Sequence, residues 1–202
     1  MKELLIATKN KGKVRELADL LKPFDIKVLS LLDLSSPPDI VEDGETFRVN
    51  AAKKAVAISI YTGKPVLGED SGLEVDALGG KPGVYSARYS DPGATDERNN
   101  DKLIQELSGV AWEKRTARYR SAIAFADDDG LIDVVEGSCE GIITAERRGT
   151  NGFGYDPLFY IPQYQKTFGE LPLEIKQTLS HRAEAFRKFL KLLEKYLVVT
   201  GR

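Results

Sequence analysis

The chain carries a single cysteine, Cys139, and a single histidine, His181, in 202 residues. One cysteine excludes an intramolecular disulfide framework and a cysteine-rich zinc site, and it fits a reducing cytosol. One histidine excludes a histidine-rich metal site. A serine–histidine triad could rest only on His181, and no nucleophile elbow accompanies it. Long apolar runs are also missing: none approaches the roughly 18 residues of a membrane span. The short run Leu4-Leu5-Ile6-Ala7-Thr8 predicts a first strand rather than a signal segment. Charge of one sign is not in excess, with 29 lysines and arginines against 31 aspartates and glutamates. Such a chain has no global field to draw nucleic acid or an anionic membrane. These absences predict a cytoplasmic protein with neither as a partner.

What is present predicts an ordinary globular core, with 42% apolar residues. The buried run after Glu3, a helix with Val14, Leu17, Leu20 and Leu21 in register, and a strand at Ile26–Val28 come first. An alanine-rich helix over 46–60 and a strand at Pro65–Leu67 follow. This β-α-β-α-β order predicts a parallel core with crossover helices. Thr95 is placed to cap a helix running to Leu107. Residues 116–126 and 131–144 predict two long strands joined at Asp127-Asp128-Asp129-Gly130. A last amphipathic helix spans 180–197. The expectation is one domain over 1–202, with two lobes on one mixed sheet that are not separable.

Chemistry concentrates in four places. Gly68-Glu69-Asp70-Ser71-Gly72 places two acids at the end of an apolar run, where they repel each other unless a cation or proton joins them. This fits a magnesium site with a general base, or a polar strand end capped by solvent. Thr8-Lys9-Asn10-Lys11-Gly12-Lys13 is a basic loop before the first helix. It fits a triphosphate cradle at a helix N-terminus or a solvated turn, and it lacks the Walker spacing. Gly152-Phe153-Gly154-Tyr155-Asp156-Pro157 would let an aromatic ring lie against a planar base, with Asp156 as an acceptor, or it is a tight loop around a core aromatic. Lys176 and Ser180-His181-Arg182 offer donors to a base edge, or His181, a lone histidine at a helix start, is structural. Glu42 could point back toward the acid pair, or be an ordinary surface acid.

Together these segments, with Gly79-Gly80-Lys81-Pro82-Gly83, resemble the inosine triphosphate pyrophosphatase (ITP/XTP diphosphatase) family, from about Lys2 to Leu197. The resemblance implies an elongated two-lobed α/β fold on a long central mixed β-sheet flanked by helices, with a nucleotide cleft between the lobes. It implies Mg2+-dependent hydrolysis of ITP, dITP and XTP to the monophosphate and pyrophosphate, by a homodimer. It assigns the phosphates to Thr8, Lys9, Asn10, Lys11, Gly12 and Lys13, with a further phosphate contact at Arg88. Asp70, with Glu69, is the proton acceptor, and Ser71 contacts substrate. Glu42 and Asp70 hold the metal. Phe153, Gly154, Tyr155 and Asp156 hold base and sugar, and Lys176, His181 and Arg182 read the base. Gln177 and Ile175 depart from the family pattern and are read as helix-surface changes. The rival readings are a nucleotide-binding sensor without catalysis and a pyrophosphatase for other nucleotides, such as a pyrimidine-directed relative.

Overall fold

The structure is a computed structural model that describes residues 3–24 and 26–200. Its strands form a seven-stranded sheet in the order β2-β1-β3-β4-β5-β6-β7. They are β1 (Glu3–Ile6), β2 (Lys27–Ser30), β3 (Val66–Val75), β4 (Thr116–Asp127), β5 (Gly130–Ile143), β6 (Phe159–Ile161) and β7 (Lys166–Thr167). Strand β1 runs parallel to β2 and β3, as the β-α-β-α-β order predicts, while β6 is antiparallel to β5 and β7. The fold is therefore α/β with a mixed sheet. The chain divides into two compact units, the first from residues 1–70, 121–137 and 182–202, the second from 71–120 and 138–181. Strands β3, β4 and β5 each change unit part-way along. No single cut in the chain therefore releases either unit.

In the first unit, helices α1 (Lys11–Leu21), α2 (Phe47–Thr62) and α5 (His181–Thr200) accompany the parallel strands. Leu4, Leu5, Ile6 and Ala7 are wholly buried, which is why this strand reads as a continuous apolar run rather than an alternating one. Leu4, Ile6, Leu17, Leu21, Leu67 and Phe125 share a core with Phe186, Phe189 and Leu193 of α5. The helical spacing of those α5 residues is the stripe seen in the sequence. Helix α1 begins earlier than expected. The Asn10 side chain accepts from the Lys13 amide at 3.1 Å, so Lys11, Gly12 and Lys13 belong to the first turn and not to a loop. Thr46 caps α2, and Gly63 ends it at φ +61° with its N–H on the Ser59 carbonyl.

The second unit carries α3 (Asp96–Glu106) and α4 (Leu173–Leu179). Its core joins Leu73, Leu103, Leu107, Tyr119, Tyr155, Phe159 and Phe168. Thr95 caps α3 as expected, its hydroxyl accepting from the Arg98 amide. Strands β4 and β5 meet at Asp128-Asp129, as the acid-rich turn predicts. Residues 83–88 form a 3-10 turn. Two expectations are corrected here. Ile175 packs against the core instead of facing solvent. Strand β3 does not stop at Leu67 but continues through both acids to Val75, because the buried acids find cations, as described next.

Candidate active site

In the first unit the site is built where β3 crosses α2. Gly68 makes that crossing possible: a Cβ there would sit 2.3 Å from the Ala51 carbonyl oxygen and 2.7 Å from the Ala55 nitrogen. The strand therefore lies directly on the helix backbone, and Lys54 of α2 reaches the residue two places on. Lys54 Nζ is 2.6 Å from Glu42 Oε2 and 3.4 Å from Asp70 Oδ1. The other Asp70 oxygen, Oδ2, is buried and has no hydrogen-bond partner among the described residues.

Glu69 points to a different set of partners and is fully buried. Its Oε2 pairs with Lys13 at 2.8 Å. Its Oε1 accepts from Ser121 at 3.0 Å and pairs with Arg182 at 3.2 Å. Arg182 in turn pairs with Glu16 of α1. The two neighbouring acids are driven apart in proton affinity. Burial alone would raise Glu69, but Lys13 and Arg182 outweigh it and hold the carboxyl far below the usual range. At Asp70 burial wins over Lys54 and Lys13, with Glu42 and Glu69 adding to it, and the carboxyl is pushed up.

The residues expected to cradle phosphate, 8–13, lie in the same unit. Thr8 Oγ1 accepts from the Asn10 amide at 3.1 Å. Lys9 and Lys11 are exposed, with Lys9 3.7 Å from Asp39, whereas Lys13 turns inward to Glu69. Arg182, expected among the base-reading donors, has its guanidinium on Glu16 and Glu69 instead. Glu42 and Asp70, expected to hold a metal, have Lys54 standing on both carboxylates. Lys54 and Glu16 were missed in the sequence. An alanine-rich helix gives no sign of which lysine turns inward, and only the Gly68 contact places Lys54.

In the second unit the 152–157 loop is organised around Asp156. A Cβ at Gly152 would fall 1.9 Å from Asp156 Oδ2, so only glycine fits there. That oxygen accepts from the Phe153 amide at 2.9 Å and from Lys176 Nζ at 2.6 Å, and Oδ1 accepts from Tyr119 at 3.4 Å. Asp156, expected as an acceptor for base or ribose, is thus buried and engaged in holding the loop. Tyr155 is likewise a core residue, its hydroxyl donating to the Ser86 carbonyl at 2.8 Å. Phe153 is half-buried, with Lys176 Nζ 4.9 Å from its ring centre. The His181 ring stacks on Tyr119 at 4.6 Å and 13°. The Gly154 N–H donates to Asp96 Oδ2 at 2.7 Å, and Asn100 Nδ2 donates to the Gly154 carbonyl at 2.9 Å. Ser71 follows Asp70 on β3 as the first residue of this unit, and Arg88 lies over the Tyr85 ring at 5.1 Å.

Chemically, the first unit offers one carboxyl with raised proton affinity beside buried and exposed lysines. The second offers an aromatic ring edged by an ammonium group. Carboxylate oxygens are the ligands that magnesium takes, and Asp70 Oδ2, buried with no hydrogen-bond partner among the described residues and sharing Lys54 with Glu42, fits such an ion.

Comparison with known proteins gives this geometry its context. A dITP/XTP pyrophosphatase of Desulforamulus reducens is 50% identical over 196 residues, covering 97% of this chain and 98% of that protein. One of Geobacillus kaustophilus is 50% identical over 202 residues, covering 100% and 99%. The solved Staphylococcus aureus Ham1 protein matches with a TM-score of 0.85 at 38% identity, over 96% of this chain and 100% of that one. The Coxiella burnetii HAM1 protein matches with a TM-score of 0.86 at 37% identity, over 96% and 100%. A sequence profile of the Ham1 family matches residues 4–192, and the chain belongs to that family.

Proposed function

We propose that this chain hydrolyses dITP, XTP and ITP to the nucleoside monophosphate and pyrophosphate, removing deaminated purines from the nucleotide pool. The relatives' names support the reaction class. The observation that carries the assignment of roles is the contrast between two adjacent carboxyls: Glu69 is held by Lys13, Ser121 and Arg182, whereas Asp70 Oδ2 is buried with no hydrogen-bond partner among the described residues. The same surroundings draw the Glu69 carboxyl down in proton affinity and push that of Asp70 up, and groups pushed apart in this way divide acid–base work between them. Asp70 is the base: it orients a water and takes its proton as the water oxygen bonds the α-phosphorus. The bond from that phosphorus to the pyrophosphate oxygen then breaks. Glu69 anchors Lys13 and Arg182. Lys9, Lys11 and the first turn of α1 meet the negative charge of the leaving pyrophosphate. Glu42 and Asp70 would hold Mg2+, which supplies charge neutralisation on the phosphates when bound. Phe153 provides the stacking platform for the base, with Lys176 and His181 as donors toward a 6-oxo group. Adenine carries a donor at that position, so such a site leaves its own donors unpaired with ATP. A homodimer is part of the same reading.

Pyrophosphate release from dITP, XTP, GTP and ATP, with and without Mg2+, tests this. Faster cleavage of dITP and XTP, with monophosphate as co-product, is expected. Equal cleavage of ATP would refute the 6-oxo selectivity, and binding of all four without cleavage would make the chain a sensor.

A further inference from the structure

The ring of Phe153 hangs between two glycines in the left-handed region, Gly152 at φ +77° and Gly154 at φ +63°. Such residues restrain a backbone least. On the side facing α3, packing does not supply the missing restraint, since Asp96, Asn100, Phe153 and Gly154 all line a cavity of about 190 Å³. Hydrogen bonds supply it instead. On the Gly152 side the Phe153 amide is held by Asp156. On the other side Gly154 is held twice, its N–H by Asp96 Oδ2 and its carbonyl by Asn100 Nδ2.

Asn100 is 2% exposed. Its Nδ2 faces two carbonyl oxygens, those of Asp96 at 2.6 Å and Gly154 at 2.9 Å, so the amide orientation is set by its partners. Its Oδ1 is then left buried, with no hydrogen-bond partner among the described residues. An unsatisfied acceptor is destabilising. A residue that serves only the helix would not need it, because one turn of α3 closes without a side-chain amide.

We propose that Asp96 and Asn100 are positioning residues for base recognition: by holding Gly154 at its N–H and its carbonyl, they fix the ring of Phe153 where the base stacks. The inference rests on the reading of Phe153 given under Proposed function. It gives α3 (Asp96–Glu106), which carries none of the residues assigned to substrate, a part in base recognition.

The test is steady-state kinetics on dITP with the full chain. Asn100→Ala and Asp96→Ala should each raise KM about tenfold with kcat nearly unchanged, the size of one lost hydrogen bond. Asp96→Asn keeps an oxygen for the Gly154 N–H and should stay near wild type. Phe153→Ala is the reference, and Asn100→Ala in that background should add nothing. Additive losses, or a fall in kcat with KM unchanged, would overturn the proposal. An unchanged KM in Phe153→Ala would refute the stacking platform itself, and the positioning role with it. Amide exchange at Gly154 reads the clamp without turnover. Asp96→Ala should speed it about tenfold, and an unchanged rate overturns the proposal even if dITP proves not to be the substrate.

Discussion

Asp70 and Glu69 are neighbours in the chain, yet their surroundings have little in common. Glu69 meets two cations and a hydroxyl, whereas Asp70 has one lysine at 3.4 Å and an oxygen with no hydrogen-bond partner among the described residues. The consequence is testable residue by residue. Asp70→Asn should lower kcat on dITP about 10²- to 10⁴-fold, the usual cost of losing a general base, while equilibrium binding of the nucleotide is largely kept. Normal turnover in that variant would remove Asp70 from the reaction. Arg182 is predicted to matter for stability as well. It is nearly buried with Glu16 and Glu69, and Arg182→Met would leave two buried carboxylates short of a cation. Breaking a buried ion pair in this way costs about 3–5 kcal/mol, which urea unfolding would read. A change within experimental error would mean that water reaches the trio.

At the scale of elements, the crossing of β3 and α2 decides where the chemistry is. Gly68→Ala puts a methyl group against the α2 backbone, which cannot move aside as a flexible side chain would. Overpacking of this kind costs about 1–3 kcal/mol, and the strand must shift away from Lys54. Gly68→Ala should therefore lose both melting temperature and turnover, whereas Thr46→Ala, which removes the α2 cap, should cost about 1 kcal/mol and leave kcat nearly intact. Equal losses of kcat in the two variants would show that the crossing has no special role. This contact was not legible in the sequence. Glu69-Asp70 after an apolar run predicts a strand end, because acids are expensive to bury. The strand continues because Lys13 and Arg182, 56 residues before and 113 after Glu69, neutralise it. The Thr95 cap was legible, since its hydroxyl acts on an amide three residues on, whereas Asn10, read as part of a loop, caps α1.

For the whole molecule, two buried tyrosines of the second unit set an alkaline limit. Burial, joined by Glu106, raises the Tyr89 hydroxyl, and burial, joined by Tyr89, raises that of Tyr155. Both folded values lie above the unfolded value of about 10. Their stabilising contribution is therefore complete below pH about 10, and it is lost as pH rises toward the folded values, because the unfolded chain then releases protons that the folded chain keeps. Melting temperature should fall steeply above pH about 10, and more gently in Tyr155→Phe. Parallel curves for the two proteins would place the alkaline loss elsewhere.

No helix among the described residues is long and apolar enough to cross a membrane. That much, together with the single cysteine and histidine and the order of the parallel strands, followed from the sequence alone. Composition, periodicity and capping are local properties, and each acts over a few residues. The family resemblance was also legible, because its motifs are short and stand in order. Tertiary structure alone decided which charges meet. It turned Lys54 onto Asp70, gave Arg182 to Glu16 and Glu69, buried Asp156 as the anchor of its loop, and set Asn100 on Gly154. The reason is that a charge or amide is settled by whatever folding brings within a few ångströms of it, and those partners lie between 16 and 166 residues away along the chain.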